Sequence, residues 1–336
     1  MLPPLQIGEV LRDRYSITSY IGQGGMGSIY QAKDLRLEGR LCAIKEVQND
    51  VSQAPETQQQ ARDQFYREAS ILARLDHPNL PKVSDYFSIG DRDYLVMDFV
   101  PGRDLKEIMN EAKHNGRFLP EADVLRWATQ LAGALTYLHQ QEHAIVHRDI
   151  KPSNLKVTPT GLLKLVDFGL VKLLASDERT VTVIQGLGTA YYTPLEQYGG
   201  DSGHTDARTD IYSFGATLYH LLTNEPPAEA KERFLRAESL KPIRSINPAV
   251  SVNTEQAIFW AMALHPDDRP PDVATFQEAL EPNNNLLVRS EGETLVVQPT
   301  IRLPSLTAPV DRYLAAATIG LLILAVLLTL FPFNLH

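Results

Sequence analysis

Cysteine is almost missing from this chain: among 336 residues there is one, Cys42, so no internal disulfide can form. Its strand-like neighbours Leu41, Ala43 and Ile44 make it a buried core thiol, which fits a reducing compartment. Basic residues are in deficit, with 32 Lys and Arg against 41 Asp and Glu, a net charge of -9 and a pI near 5.5. No basic stripe interrupts that deficit, which argues against broad nucleic-acid binding. A signal peptide is also lacking, since Met1-Leu2-Pro3-Pro4-Leu5 has neither a charged head nor an apolar run. Apolar residues at 43% and charged residues at 22% leave enough material for a large core and give no sign of overall disorder.

Chemistry enters with His147-Arg148-Asp149-Ile150-Lys151-Pro152-Ser153-Asn154, followed 13 residues after Asn154 by Asp167-Phe168-Gly169. Moving a phosphoryl group needs a metal ion, a cationic clamp and an aligned acceptor hydroxyl more than covalent help. Asp149 suits the acceptance of a hydroxyl proton. Asn154 and Asp167 supply the hard oxygen ligands that Mg²⁺ prefers, with Mn²⁺ as a substitute. Lys151, two residues past Asp149, can reach a transferred phosphate.

Upstream, Ile21-Gly22-Gln23-Gly24-Gly25-Met26-Gly27-Ser28-Ile29-Tyr30 carries glycines at the G-x-G-x-x-G spacing. Glycine lets backbone N–H groups approach phosphates without a Cβ in the way. Dinucleotide-binding folds share the spacing, but there the glycines open a helix, and here a second strand follows. Cys42-Ala43-Ile44-Lys45 is an apolar strand ending in one lysine, and Glu68 lies in a helical stretch placed to pair with it.

Five elements in this order resemble the eukaryotic-like (Hanks-type) protein kinases, and Gly-Gln-Gly-Gly-Met-Gly resembles their bacterial serine/threonine branch. The resemblance implies an α+β, two-lobed protein kinase fold, with a β-rich small lobe carrying one helix and a helical large lobe. It implies transfer of the ATP γ-phosphate to serine or threonine hydroxyls of protein substrates. The ATP site would comprise residues 21–29, Ala43, Lys45, Met97, Asp98, Val100 and Asn154. Met97 would back the adenine pocket, while the backbones of Asp98 and Val100 bond the adenine edge.

The resemblance also assigns switches and struts. Arg148 would bind a phosphate on the activation segment, residues 170–195, where Thr180 and Thr182 are the expected autophosphorylation sites. Thr189 would bond toward Asp149 and Lys151. Glu196 would pair with Arg269, and Asp210 would orient the catalytic-loop backbone. Two departures stand out: Leu195 replaces a proline, and Lys156 replaces the apolar floor under adenine, its stem packing there with the ammonium turned to solvent. Retention of Lys45, Glu68, Asp149, Asn154 and Asp167 weighs against the alternative of a membrane-anchored pseudokinase scaffold acting by binding.

Alternation and periodicity divide the chain into a lead, 1–13, a kinase domain, 14–282, with lobes at 14–97 and 101–282, a polar linker, 283–313, and an apolar segment, 314–333. Strands are expected at 15–21, 28–32, 41–47, 82–88 and 94–100, and helices at 58–75, 121–140, 209–223 and 272–280. Residues 314–331 carry no charge, and their Leu, Ile, Val and Phe residues favour insertion by on the order of 3 to 7 kcal/mol. Twenty residues span about 30 Å as a helix, matching the hydrocarbon thickness. The expectation is a single-pass C-terminal membrane anchor, with the kinase domain in the cytoplasm where ATP is. Only Asn334-Leu335-His336 follow, so no external sensor domain is expected. Homodimerisation through the small lobe is compatible with the resemblance, but no residue is assigned to it.

Overall fold

Alternation decides which side chains of the small lobe meet which layer. In the computed structural model, which describes residues 3–24, 27–48, 54–167, 189–198 and 206–281, an antiparallel sheet orders its strands β1-β2-β3-β4-β6-β5. These are β1 (Val10–Leu11), β2 (Tyr15–Gly24), β3 (Gly27–Asp34), β4 (Leu41–Gln48), β5 (Val83–Ile89) and β6 (Arg92–Asp98). On one face Tyr15, Ile17, Tyr30, Ala32, Cys42, Ile44, Phe87, Tyr94 and Val96 form a core of their own, with Leu11 over it. Side chains one residue out of phase turn to the other face, so Leu95 and Met97 of β6 join the main core with helix α1 (Pro55–Leu72). The same parity sends Ala43 and Lys45 of β4 away from Cys42 and Ile44. The lone cysteine is buried and free.

Helix α1 begins three residues earlier than the polar composition of 49–57 suggests, because Pro55 at its first turn has its φ already set for a helix and no N–H that needs a partner there. It also ends earlier, at Leu72, where the chain turns toward His77-Pro78. A second sheet of three short strands, β7 (Arg103–Asp104), β8 (Leu155–Val157) and β9 (Leu163–Leu165), packs Leu155, Leu163 and Leu165 into the main core. Val166 N donates to the Asn154 carbonyl at 2.8 Å, which joins the end of β9 to the 3₁₀ turn, Pro152–Asn154, just before β8.

The large lobe is helical: α2 (Leu105–His114), α3 (Glu121–His139), α4 (Ala207–Thr223), α5 (Ala230–Leu235), α6 (Ile243–Ile246), α7 (Val252–Ala261) and α8 (Val273–Leu280). Helix α4 is buried from Thr209 to Tyr219 and runs through the centre of the lobe, which suits its near-continuous apolar sequence. Phe214 of α4 meets Phe276 of α8 edge-to-face at 5.1 Å. Asp104 and Asp272 cap α2 and α8, accepting from Glu107 N at 2.9 Å and Thr275 N at 2.7 Å. Between sheet and helices Gly102 turns with φ +112°, and a Cβ there would lie 2.1 Å from the Val157 carbonyl oxygen. Among the described residues no helix is long and apolar enough to cross a membrane; segment 314–333 lies outside them.

Candidate active site

Three pieces of chain converge where the two lobes meet: the end of β4, the loop 147–154 and the residues after β9. Lys45 is buried and its ammonium donates to Asp167 Oδ1 at 2.5 Å. Burial alone would push the Asp167 carboxyl up, but Lys45, with His147 and Lys151 nearby, outweighs it and holds the carboxyl below the usual carboxylate range. Glu68 is buried in α1, accepts from Gln64 Nε2 at 2.7 Å, and acts electrostatically on Arg148.

Asp149 sits in a closer cluster. Lys151 Nζ lies 2.8 Å from Asp149 Oδ1 and 2.9 Å from Oδ2, and donates to Oδ2. Asn154 Nδ2 donates to Asp149 Oδ2 at 2.9 Å and to the Asp149 carbonyl at 2.8 Å. Oδ1 is buried and accepts no aligned hydrogen bond among the described residues, so it keeps acceptor capacity for an incoming hydroxyl. Lys151 Nζ also donates to Thr189 Oγ1 at 3.2 Å, which draws the segment after 188 onto the same spot.

The loop itself is held from below. Asp210 of α4 is fully buried, and accepts from His147 N at 2.8 Å, Arg148 N at 2.8 Å and the His139 ring at 2.8 Å. Burial opposes its ionisation, yet these donors and the neighbouring histidines hold its carboxyl low. Arg148 and Asp167 both have left-handed backbones, φ 65° and 59°, a strain that the surrounding bonds maintain on either side of the cluster. A buried pair closes the arrangement: Arg269 bonds Glu196 at 2.6 and 3.0 Å.

A carboxylate base beside a lysine, an amide and a second ionised carboxylate is a phosphotransfer constellation, and comparison with known proteins decides its family. The family model described as the protein kinase domain matches residues 15–281. This chain is a protein kinase family member. It resembles the bacterial serine/threonine branch: it is 32% identical over 292 residues to the probable serine/threonine-protein kinase PknB of Lactococcus lactis, covering 85% of this chain and 44% of that one. Against the PknB of Mycobacterium leprae it is 31% identical over 293 residues, covering 84% and 44%. The chain thus spans less than half the length of these curated relatives. Among solved structures, the Mycobacterium tuberculosis PknI kinase domain is similar at a TM-score of 0.62 and 26% identity, covering 82% of this chain and 98% of that one. The PpkA-294 apo form gives 0.65 and 27%, with 83% and 99% covered.

In this kinase the remaining expected nucleotide residues line β2 to β4 and the strand end at Met97-Asp98. Ser28 and Met97 are buried, Asp98 N donates to Lys82 O at 2.9 Å, and Val100 is buried just beyond. Gly27 approaches β4 so closely that a Cβ would stand 1.8 Å from the Glu46 carbonyl oxygen. Lys156 is half-buried in β8, in register with Asp104 on one side and Lys164 on the other. Gly25, Met26, Thr180 and Thr182 lie outside the described residues. Sequence reasoning missed His139 and Asn79, whose side chain donates to Leu163 O at 2.7 Å; neither residue carries a local signal of its partner 71 and 84 positions away.

Among the described residues no group of three or more His, Cys, Asp or Glu could hold a metal unaided. Asn154 and Asp167 are a smaller set, with the Asn154 amide nitrogen committed to Asp149 and its carbonyl oxygen left to ligate. Such a set fits Mg²⁺, which keeps waters and phosphate oxygens in its shell.

Proposed function

We propose that this chain transfers the γ-phosphoryl group of ATP to serine or threonine hydroxyls of proteins. The observation that carries the reading is Asp149, oriented through Oδ2 by Lys151 and Asn154, with a buried Oδ1 that lies 2.8 Å from the Lys151 ammonium and accepts no aligned hydrogen bond among the described residues. Asp149 takes the acceptor's proton as the new oxygen–phosphorus bond forms, and the bond to the bridging oxygen breaks with its electron pair leaving on ADP. Lys151 offsets charge on the group in transit, and Thr189 marks the acceptor side. Lys45 clamps the nucleotide phosphates beneath the glycine-rich turn, 21–29. Mg²⁺ bound by Asn154 and Asp167 would neutralise phosphate charge. Ala43, Met97, Asp98 and Val100 bound the base.

Labelled phosphate transfer from Mg-ATP to a generic basic protein tests this, using the full chain in detergent beside Asp149→Asn. Transfer to serine or threonine by the wild type, with the variant down on the order of 10²- to 10⁴-fold, is the expected result. Equal transfer by both ends the reading.

The same proposal covers anchoring and activation. Residues 314–333 are read as a single membrane span with the kinase domain on the cytoplasmic side, on the strength of their charge-free apolar run. Sedimentation with membranes that survives alkaline carbonate, and is lost on deleting 314–333, is expected. Thr180 and Thr182 are read as autophosphorylation sites whose phosphates are drawn to the half-buried guanidinium of Arg148. Intact-mass analysis of active protein should show phosphate there.

A further inference from the structure

The acceptor side of the site continues past Thr189 through a chain of hydrogen bonds that the catalytic residues do not use. Tyr192 N donates to the Thr189 carbonyl at 3.0 Å, so its ring follows one turn after the residue that Lys151 holds. Ser213 Oγ, on α4, fixes the Tyr192 carbonyl at 2.7 Å, and the Tyr192 hydroxyl reaches along α4 to His220 Nδ1 at 2.6 Å. With the hydroxyl donating, the His220 ring is neutral and carries its proton on Nε2. Burial, then Lys113 and Lys106, push its pKa down to about 4.

Those lysines come from α2, which lies beside the end of α4. Lys106 and Lys113 are seven residues apart and so share one helix face, two turns from each other. Both are exposed. Among the described residues the Lys113 ammonium donates to a neutral carbonyl, that of Asn224 just past the end of α4, at 2.9 Å. The acids of α2 face elsewhere. Glu111 pairs with Arg103 at 2.5 Å, Glu107 caps Asp104 N at 3.2 Å, and Asp104 is committed to Glu107 N. Glu225, next along from Asn224, is paired with Lys241 at 3.1 Å. Lys151 is matched by Asp149. The surface of α2 beside His220 therefore carries two positive charges with no acid paired to them among the described residues, next to a histidine kept neutral.

We infer that this surface selects protein acceptors with an acidic residue flanking the serine or threonine, through Lys106 and Lys113. This rests on the reading above that the acceptor hydroxyl sits between Asp149 and Thr189. Like-charge exclusion acts with attraction, so arginine-flanked acceptors are rejected by the same two lysines.

The test is a set of threonine peptides with Glu, Ala or Arg scanned through the flanking positions, phosphorylated by the full chain in detergent with Mg-ATP. At one or more positions the wild type should give a kcat/KM ratio of Glu- to Arg-peptide well above one. Lys106→Glu, at an exposed position, should cut that ratio on the order of fivefold, Lys106→Glu with Lys113→Glu further, and Lys106→Arg should retain it. A fold defect lowers all peptides together and cannot move the ratio. A wild-type preference for arginine, or a ratio unmoved in both Glu variants, overturns the inference. A generic acceptor protein is scored in the same reactions. Full transfer to it with an unmoved ratio overturns the acidic preference alone, and no transfer to anything overturns the transferase reading with it.

Discussion

Arg269 and Glu196 form a two-pronged ion pair, 2.6 and 3.0 Å, in which the arginine side chain has no exposure at all. Every remaining arginine N–H direction is used: Nε donates to Ala263 O, Nη1 also to Arg208 O, and Nη2 also to Leu264 O. Thr209 Oγ1 adds a bond to Glu196, and the guanidinium lies 5.0 Å from the Tyr212 ring centre. The pair ties the end of the acceptor-side segment to the loop before α8. Arg269→Ala would strand a buried carboxylate, and about 3 to 5 kcal/mol of stability should be lost in urea unfolding. Arg269→Lys should recover little, since one ammonium cannot replace the fork and its backbone bonds.

Gly27 gives a second prediction, because it stands where the glycine-rich turn enters β3 against the backbone of β4. A methyl group 1.8 Å from the Glu46 carbonyl oxygen cannot be accommodated without parting the two strands. Lys45 is the neighbour of Glu46, so the shift is felt at the clamp. Gly27→Ala should cost about 1 to 3 kcal/mol and raise the KM for ATP roughly tenfold, measured in the peptide assay. Unchanged KM would show that the turn adjusts independently of β4.

Much of this was legible in the chain. Five strands of the small lobe follow from period-two alternation, and the parity that buries Cys42 and Ile44 also turns Lys45 to the opposite face. The spacing of Asp149, Lys151 and Asn154 sufficed to name a cluster whose members the fold brings within hydrogen-bond reach. What escaped had either too few residues or too distant a partner. Strands β1 and β7 are two residues long, below any usable period. The start of α1 is hard to place because Gln58, Gln59 and Gln60 are polar on every side, and only Pro55 marks the beginning. His139 meets Asp210 across 71 positions and Tyr192 meets His220 across 28, contacts made by packing α3 and the acceptor segment on α4.

Asp210 should behave as a positioning residue. Both its oxygens are occupied by backbone N–H groups of His147 and Arg148, immediately before Asp149. In Asp210→Asn one of those N–H groups would face an amide NH₂, and the left-handed Arg148 backbone loses a support. The expected result is a fall in kcat on the order of 10- to 100-fold with nucleotide affinity kept, since among the described residues Asp210 bonds His139, His147 and Arg148, none of them a nucleotide residue. Equal losses in kcat and in ATP binding would instead indicate general unfolding.

His220 sets a pH dependence with a definite sign. Its pKa of about 4 in the folded chain lies below the ordinary histidine value, so the unfolded chain binds the extra proton first as pH falls. The contribution is therefore intact above about pH 6.5, declines as pH drops, and is lost by about pH 4. Protonation also puts a proton on both ring nitrogens, so that Nδ1 can then only donate to the Tyr192 hydroxyl. The loss should be on the order of 2 to 3 kcal/mol, set by the shift and by the burial that causes it. Unfolding free energy measured from pH 7 down to pH 4.5 should fall more steeply for wild type than for His220→Gln, which cannot titrate. Asp210 and Asp167 lose their ionised forms at lower pH, since both are held below the usual carboxylate range, and their losses are common to the two proteins. Parallel profiles would mean that His220 is already as exposed to protons folded as unfolded, and that neither burial nor Lys106 and Lys113 hold its ring neutral.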